Sequence, residues 1–338
     1  MLKEFLYHLS VIALAMLSTG AMAASYELAN GEDSLIGRPL TTHSEYKDTL
    51  LDIARKHGFG YREIILSNPG VDVLLPGAGK EIALPSQFLL PHAPRQGIVL
   101  NIPELRLYYY PPRKQGAPLQ VYTFPVGIGK EGWNTPYTRT KVVNKQKDPS
   151  WYPPESIRRE HAARGDILPK RVPPGPENPL GKYAMRMGLG AYLIHGTNNP
   201  DAIGMRASHG CIRLYPEDIE NLYSMVGLRT PVNIINQPFK VALHQGKIYL
   251  EAHPSLEEDE NIYRDNLTSV VQILIDVTAG SDYTVDWDLA KRVIRELQGI
   301  PVAIGIINGP ATTVAETGGP NGKKGLRLRL DTKLMGSD

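Results

Sequence analysis

Tyr192-Leu193-Ile194-His195-Gly196-Thr197, followed by Ala207-Ser208-His209-Gly210-Cys211-Ile212-Arg213-Leu214, is the stretch of this 338-residue chain that says most about it. The first half reads as a short apolar strand ending on His195, a rigid position from which an imidazole can be aimed. The second half reads as a turn. His209 stands beside Cys211, and Gly210 permits a backbone path that points consecutive N–H groups at one spot. A thiol is mostly protonated at neutral pH, and the thiolate is the nucleophile. A neighbouring imidazole can take that proton, as in acyl transfer through cysteine. Arg213 can hold a carboxylate by a charge-assisted bond.

Cys211 is the only cysteine in the chain. A lone cysteine is also commonly a small buried hydrophobe, and a His-x-Cys pair can belong to a metal site. Metal ligation is disfavoured, because one thiolate is present and no CxxC or HxxxH spacing accompanies it. No cofactor motif is found either. Gly127-Ile128-Gly129 lacks a third glycine at dinucleotide-loop spacing, and Trp133-Asn134-Thr135-Pro136 after it reads as loop rather than helix.

Working outward, Ile98–Asn101, Leu105–Tyr110, Leu119–Val126, Thr140–Asn144 and Tyr192–Ile194 read as short strands separated by Gly/Pro turns. This spacing predicts a mainly β fold, an antiparallel sandwich or barrel. Residues 149–179 hold eight prolines together with Trp151 and Tyr152. That composition predicts an ordered lid or wall beside the site.

Lys3, the short apolar run 9–17 and Ala21-Met22-Ala23 predict a cleaved export signal over residues 1–23, and hence a periplasmic protein. Residues 24–40 read as a flexible lead-in. Residues 41–85 read as a small α+β unit. Asp48 is the expected N-cap of a helix ended by Gly58, Tyr61–Ser67 is a second helix, and Ile82–Pro85 is a closing strand. Residues 86–96 read as a linker. Residues 237–338 read as an α+β C-terminal extension. It holds a hairpin around Gln245-Gly246, an amphipathic helix over 286–298 capped by Gly299, and a basic tail. The formal net charge of +2 provides no global basic field for nucleic acid.

His195-Gly196-Thr197 followed by Ser208-His209-Gly210-Cys211-Ile212-Arg213 resembles the signature of the YkuD-type L,D-transpeptidases. The likeness extends over 97–236. It includes Gly97–Tyr110, the run Pro173-Pro-Gly-Pro-Glu-Asn-Pro-Leu-Gly181, and Pro231–Asn236. One departure is Arg213, where many members carry Asn and the Gram-negative subgroup carries Arg. Asp48-Thr49-Leu50, Ile53-Ala54, Asn68-Pro69 and Leu84-Pro85 resemble a LysM module, with Lys47 where a glycine is usual.

These resemblances imply a catalytic β-sandwich with a LysM-like cap that binds the glycan strands of peptidoglycan. Cys211 would attack the diaminopimelate–D-Ala bond of a stem tetrapeptide, with His195 as base and the Gly196 carbonyl orienting its ring. His209, Gly210 and Cys211 would form the oxyanion pocket. Gly196, Thr197, Ser208, Tyr192, Asn198 and Arg213 are candidate substrate contacts. No cofactor or metal is implied. The acyl acceptor would be a second diaminopimelate, the terminal lysine of an outer-membrane lipoprotein, or water, the last making a carboxypeptidase or a lipoprotein-detaching enzyme. A non-catalytic peptidoglycan-binding protein is a further class. The remaining histidines, among them His92, His161 and His253, carry no partner pattern and are expected to be exposed or locally bonded.

Overall fold

The strands Gly97–Asn101 and Arg106–Tyr110 are buried at every position, which marks a sheet covered on both faces. Ile98, Leu100, Leu107 and Tyr109 face one core, while Val99, Tyr108 and Tyr110 face another. The computed structural model describes residues 24–28, 34–113, 115–263 and 266–310. The expected signal segment 1–23 and the basic tail lie outside the described residues.

Among the described residues the largest sheet has nine strands. Their order is Ala24–Leu28, Leu119–Pro125, Arg106–Tyr110, Gly97–Asn101, Pro231–Ile235, Thr138–Lys147, Tyr183–Met187, Leu193–His195 and Ile212–Arg213. Thr138–Lys147 serves both halves. Thr138–Lys141 pairs with Pro231–Ile234, and Val142–Lys147 pairs with Tyr183–Met187 across a register shift at Val143. Side chains of both halves, together with Ile219 and Leu222 of the helix Pro216–Met225, meet in one core. Burial of each such side chain contributes about 1.5–3 kcal/mol.

The sheet is mixed rather than antiparallel. Gly97–Asn101 runs parallel to Pro231–Ile235, and Leu193–His195 runs parallel to Ile212–Arg213. Parallel neighbours need long crossovers, and here the crossovers are the excursions that carry the site.

The second core lies under the N-terminal unit. Leu40–His43 and Glu81–Leu84 pair antiparallel around the helices Leu50–His57 and Tyr61–Leu66. The N-cap is Thr49, not Asp48. Thr49 and Asp52 form a reciprocal capping box, while the Asp48 carboxylate accepts the Glu45 N–H at 2.8 Å. Gly58 ends the helix at φ 75° as expected. The expected lead-in and linker are structured. Ala24–Leu28 is an edge strand of the large sheet, and Leu35–Gly37 pairs with Gln87–Leu89. Their buried leucines were too few in a row to read as strands, and their partners are supplied only by the fold.

A buried ion pair joins this unit to the sheet. Glu63 receives Arg106 Nε at 2.5 Å and Nη2 at 2.8 Å, and the guanidinium stacks 4.3 Å from the Phe88 ring centroid.

The C-terminal unit is a four-stranded sheet ordered Phe239–His244, Lys247–Ala252, Val302–Pro310, Ser281–Val285, with the helices Asn266–Val277 and Trp287–Glu296 packed on it. The expected hairpin is present, with Gln245 and Gly246 both at positive φ. Asp286 caps the last helix through the Leu289 N–H. The left-handed C-cap is Leu297, not Gly299. Gly299 sits two residues on, where a Cβ would lie 3.0 Å from the His253 ring.

Candidate active site

The parallel ladder pairs Ile194 with Ile212 and His195 with Arg213. Ile194 and Ile212 enter the core. Strand alternation therefore sends Leu193, His195, Cys211 and Arg213 to the opposite face, so the imidazole and the thiol share one side of one ladder. The Leu214 N–H donates to the His195 carbonyl at 2.9 Å and locks that register.

His195 is 3% exposed. Its Nδ1 lies 2.6 Å from the Gly196 carbonyl, an acceptor only, so Nδ1 carries the proton and Nε2 keeps its lone pair. Burial, followed by the Arg213 charge, pushes its pKa down to about 3, against the backbone acceptors Gly196 and Leu180. At neutral pH it is an uncharged base. Cys211 is half-buried. Burial raises its thiol, opposed by the Leu193 N–H and the Arg213 charge. Thiol and imidazole are therefore both neutral at rest.

Gly210 sits at φ 96°, and a Cβ there would lie 2.7 Å from the Tyr192 ring. Only glycine fits both the backbone and the ring. Gly129 presses from the other side, where a Cβ would lie 1.9 Å from the Trp133 carbonyl and 3.0 Å from the Gly210 Cα. The Gly127–Gly129 pair is thus explained by close packing around the His209–Cys211 turn. Thr135 Oγ1 donates to the Gly210 carbonyl at 3.0 Å.

Several candidate contacts prove to be turn-builders. Ser208 is 1% exposed. Its hydroxyl donates to the Cys211 carbonyl at 2.6 Å and accepts the Gly210 N–H at 3.2 Å. This occupies the Gly210 N–H that was expected to serve an oxyanion. Gly196 and Thr197 are buried as well. Thr197 Oγ1 closes the next turn by donating to the Asn199 carbonyl and accepting its N–H. These three residues shape the site rather than line it. The His209 side chain is engaged at one ring nitrogen, where Nε2 lies 2.9 Å from Glu160 Oε2. Tyr192 is half-buried and Asn198 exposed, and both flank His195. Arg213 points Nη1 at the Ala207 carbonyl, 3.3 Å away, and its buried Nε has no protein partner among the described residues.

The sequence reading missed a group that gathers on His209. The Trp133 ring meets it edge-on at 4.8 Å, and Glu160 holds it from the helix Glu155–Ala162 inside the Pro-rich segment. Lys130 also bonds Glu160 at 2.5 Å. Lys130 first, then His209, hold that carboxyl down at about 2. The Pro-rich segment was legible as a wall. Glu160, 49 positions from His209, carries no motif. Asn178, fully buried, ties that segment together through the Pro149 and Pro173 carbonyls and presents Leu180 and Gly181 beneath the His195 turn.

Of the histidines expected to be exposed or locally bonded, His161 and His253 bond residues close in sequence and His92 bonds a distant one. His92 reaches the Val241 carbonyl at 2.8 Å, His161 meets Asp166 at 2.6 Å, and buried His253 meets Glu251 at 2.6 Å. Glu104, Glu251 and His253 bring ligating atoms within 4.8 Å of one another. The Lys240 ammonium already lies between the two carboxylates, 2.9 Å and 2.6 Å away, which makes this a salt-bridge cluster.

The family model of the YkuD L,D-transpeptidase catalytic domain matches residues 95–234. The chain is 38% identical to the probable L,D-transpeptidase ErfK/SrfK of Escherichia coli K12, across 86% of this chain and 94% of that protein. It is 42% identical to the probable L,D-transpeptidase YcfS of the same strain, across 75% of this chain and 79% of that protein. Among solved structures, the catalytic domain of the E. faecium L,D-transpeptidase is 24% identical, over 43% of this chain and 100% of that chain, with a TM-score of 0.31. The chain belongs to the L,D-transpeptidase family and is an enzyme of that type.

Proposed function

We propose that the protein is a peptidoglycan L,D-transpeptidase with Cys211 as nucleophile and His195 as base. The observation that carries this reading is the ladder pairing of Leu193–His195 with Ile212–Arg213, with His195 Nδ1 clasped by the Gly196 carbonyl. That clasp aims Nε2, not Nδ1, at chemistry on the shared face.

His195 Nε2 takes the thiol proton as Sγ attacks the carbonyl of diaminopimelate in a stem tetrapeptide. The tetrahedral oxyanion is met by backbone N–H donors of the turn, with the Cys211 N–H replacing the committed Gly210 N–H. Collapse forms a thioester, and the terminal D-Ala amine leaves with the proton held by His195. An amine acceptor then attacks the thioester, gives a proton to His195, and restores the thiol. Arg213, charged and with Nε unpaired, suits a substrate carboxylate. Peptidoglycan stem peptides are the donor in this reading. The acceptor is a diaminopimelate amine or a lipoprotein lysine, and the protein acts in the periplasm. Among the described residues no helix is long and apolar enough to cross a membrane. The strand–helix–helix–strand unit before the catalytic domain is proposed as a LysM-like glycan-binding module.

The test is incubation of the purified enzyme with disaccharide-tetrapeptide, with and without a lipoprotein C-terminal peptide, and mass analysis of the products. Cross-linked dimer, peptide adduct or free tripeptide identifies the acceptor. Cys211→Ala is expected to abolish all three, and turnover retained in that variant sinks the assignment.

A further inference from the structure

The C-terminal unit has no part in the chemistry above, yet one of its segments reaches the nucleophile turn. Leu256 leaves its own unit and is 3% exposed within the catalytic core. The single helical turn Glu257–Asp259 follows it. Glu258 receives Arg206 Nη1 at 3.0 Å and Nη2 at 2.8 Å, and Glu257 receives Nη1 as well. Asp259 accepts the Tyr137 hydroxyl and the Asn236 Nδ2, the latter at 3.0 Å.

Arg206 opens the strand Arg206–Ser208, which runs directly into His209-Gly210-Cys211. That strand pairs with Ile128–Gly129. Arg206 Nε also donates to the Gly129 carbonyl at 3.3 Å, and Nη2 reaches Asn134 Oδ1 at 3.4 Å. The Asn134 carbonyl accepts the Tyr192 hydroxyl at 3.4 Å, and the Tyr192 ring lies on Gly210. Isolated surface ion pairs contribute little, but the Arg206 side chain is 12% exposed and spread over four acceptors. Arg62 of the N-terminal unit also feels the Glu257 charge.

We infer that the segment Leu256–Asp259 is a brace for the acyl-transfer site, with Arg206 as a positioning residue that Glu257 and Glu258 hold in place. It fixes the two loops, Gly127–Tyr137 and Arg206–Cys211, that set the turn from which the thiol attacks. The inference rests on the reading of Cys211 as nucleophile.

The test uses the full chain and the variants Arg206→Ala and Glu257→Ala/Glu258→Ala. Two rates at Cys211 are followed by intact mass: acylation by a carbapenem, which needs the turn in register, and alkylation by iodoacetamide, which needs only an accessible thiol. Both variants are expected to acylate about tenfold or more slowly, while alkylation stays within about twofold of wild type and the melting temperature is nearly unchanged. Acylation within about twofold of wild type overturns the brace. So does a parallel fall of both rates with a lowered melting temperature, which reduces the contact to stability alone. A wild-type protein that acquires no adduct at Cys211 overturns the nucleophile reading, and the brace with it, whereas normal wild-type acylation with unaffected variants overturns the brace only.

Discussion

At Cys211 and His195 the decisive quantity is where the proton rests. Burial raises the thiol and lowers the imidazole, so both are neutral at physiological pH. Iodoacetamide alkylation of Cys211 should therefore climb steadily from neutral pH to above the ordinary thiol value. A plateau at neutral pH would indicate a pre-formed thiolate–imidazolium pair. The same shift bears on stability. A folded-state histidine pKa of about 3, below the unfolded value, contributes stability that is full above about pH 6.5 and is lost as pH falls towards 3. The wild type should lose more melting temperature between about pH 6.5 and pH 4 than His195→Gln does. Cys211, His195 and Gly210 could be singled out because each residue type has few alternatives in that pattern. The inward bonds of Ser208 and Thr197 were not legible, because a hydroxyl looks the same in sequence whether it faces solvent or closes a turn.

At the scale of elements, the helix Pro216–Met225 carries an ionisable group in the wrong medium. Asp218 is 5% exposed, and burial first, then Glu217, raises its carboxyl to about 7, with Arg106 opposing. A raised folded-state pKa contributes stability that is full below about pH 4 and is lost as pH rises through 7. Asp218→Asn is accordingly expected to raise the melting temperature by a few degrees more at about pH 8.5 than at about pH 5. An equal effect at both pH values would show that the carboxylate is not desolvated. Element types were largely readable from periodicity and turn residues, and both N-terminal helices and the Gln245-Gly246 hairpin lie where expected. The caps were less so. Thr49 took the cap from Asp48 because only its side chain meets the N–H of Asp52. Leu297 took the cap from Gly299 because the last helical turn closes two residues sooner, and Gly299 is left-handed as well at φ 68°.

At the scale of the whole molecule, three units are tied by buried charges. Glu63–Arg106 joins the N-terminal unit to the large sheet. Lys240 joins Glu104 of that sheet's turn to Glu251 of the C-terminal sheet, and it donates to the Leu89 carbonyl at 2.6 Å. Lys240→Met should destabilise the fold by about 3–5 kcal/mol in urea titration, because it leaves two buried carboxylates facing each other. Wild type should unfold in one cooperative transition. Separate transitions for the N- and C-terminal units would show that these ties do not couple them.

The sequence by itself determined the β-rich class and the likeness to the L,D-transpeptidases, and it proposed the chemistry-bearing residues and a three-part order of the chain. Each of these rests on local pattern, namely residue type, spacing and turn composition. The tertiary structure decided which face of the ladder the thiol and imidazole share, which hydroxyls turn inward, and that Glu160 and Arg206 stand beside the His209–Cys211 turn. Those outcomes depend on register and on contacts between segments tens of residues apart. A one-residue slip would reverse every side chain, and no local pattern encodes the partner strand.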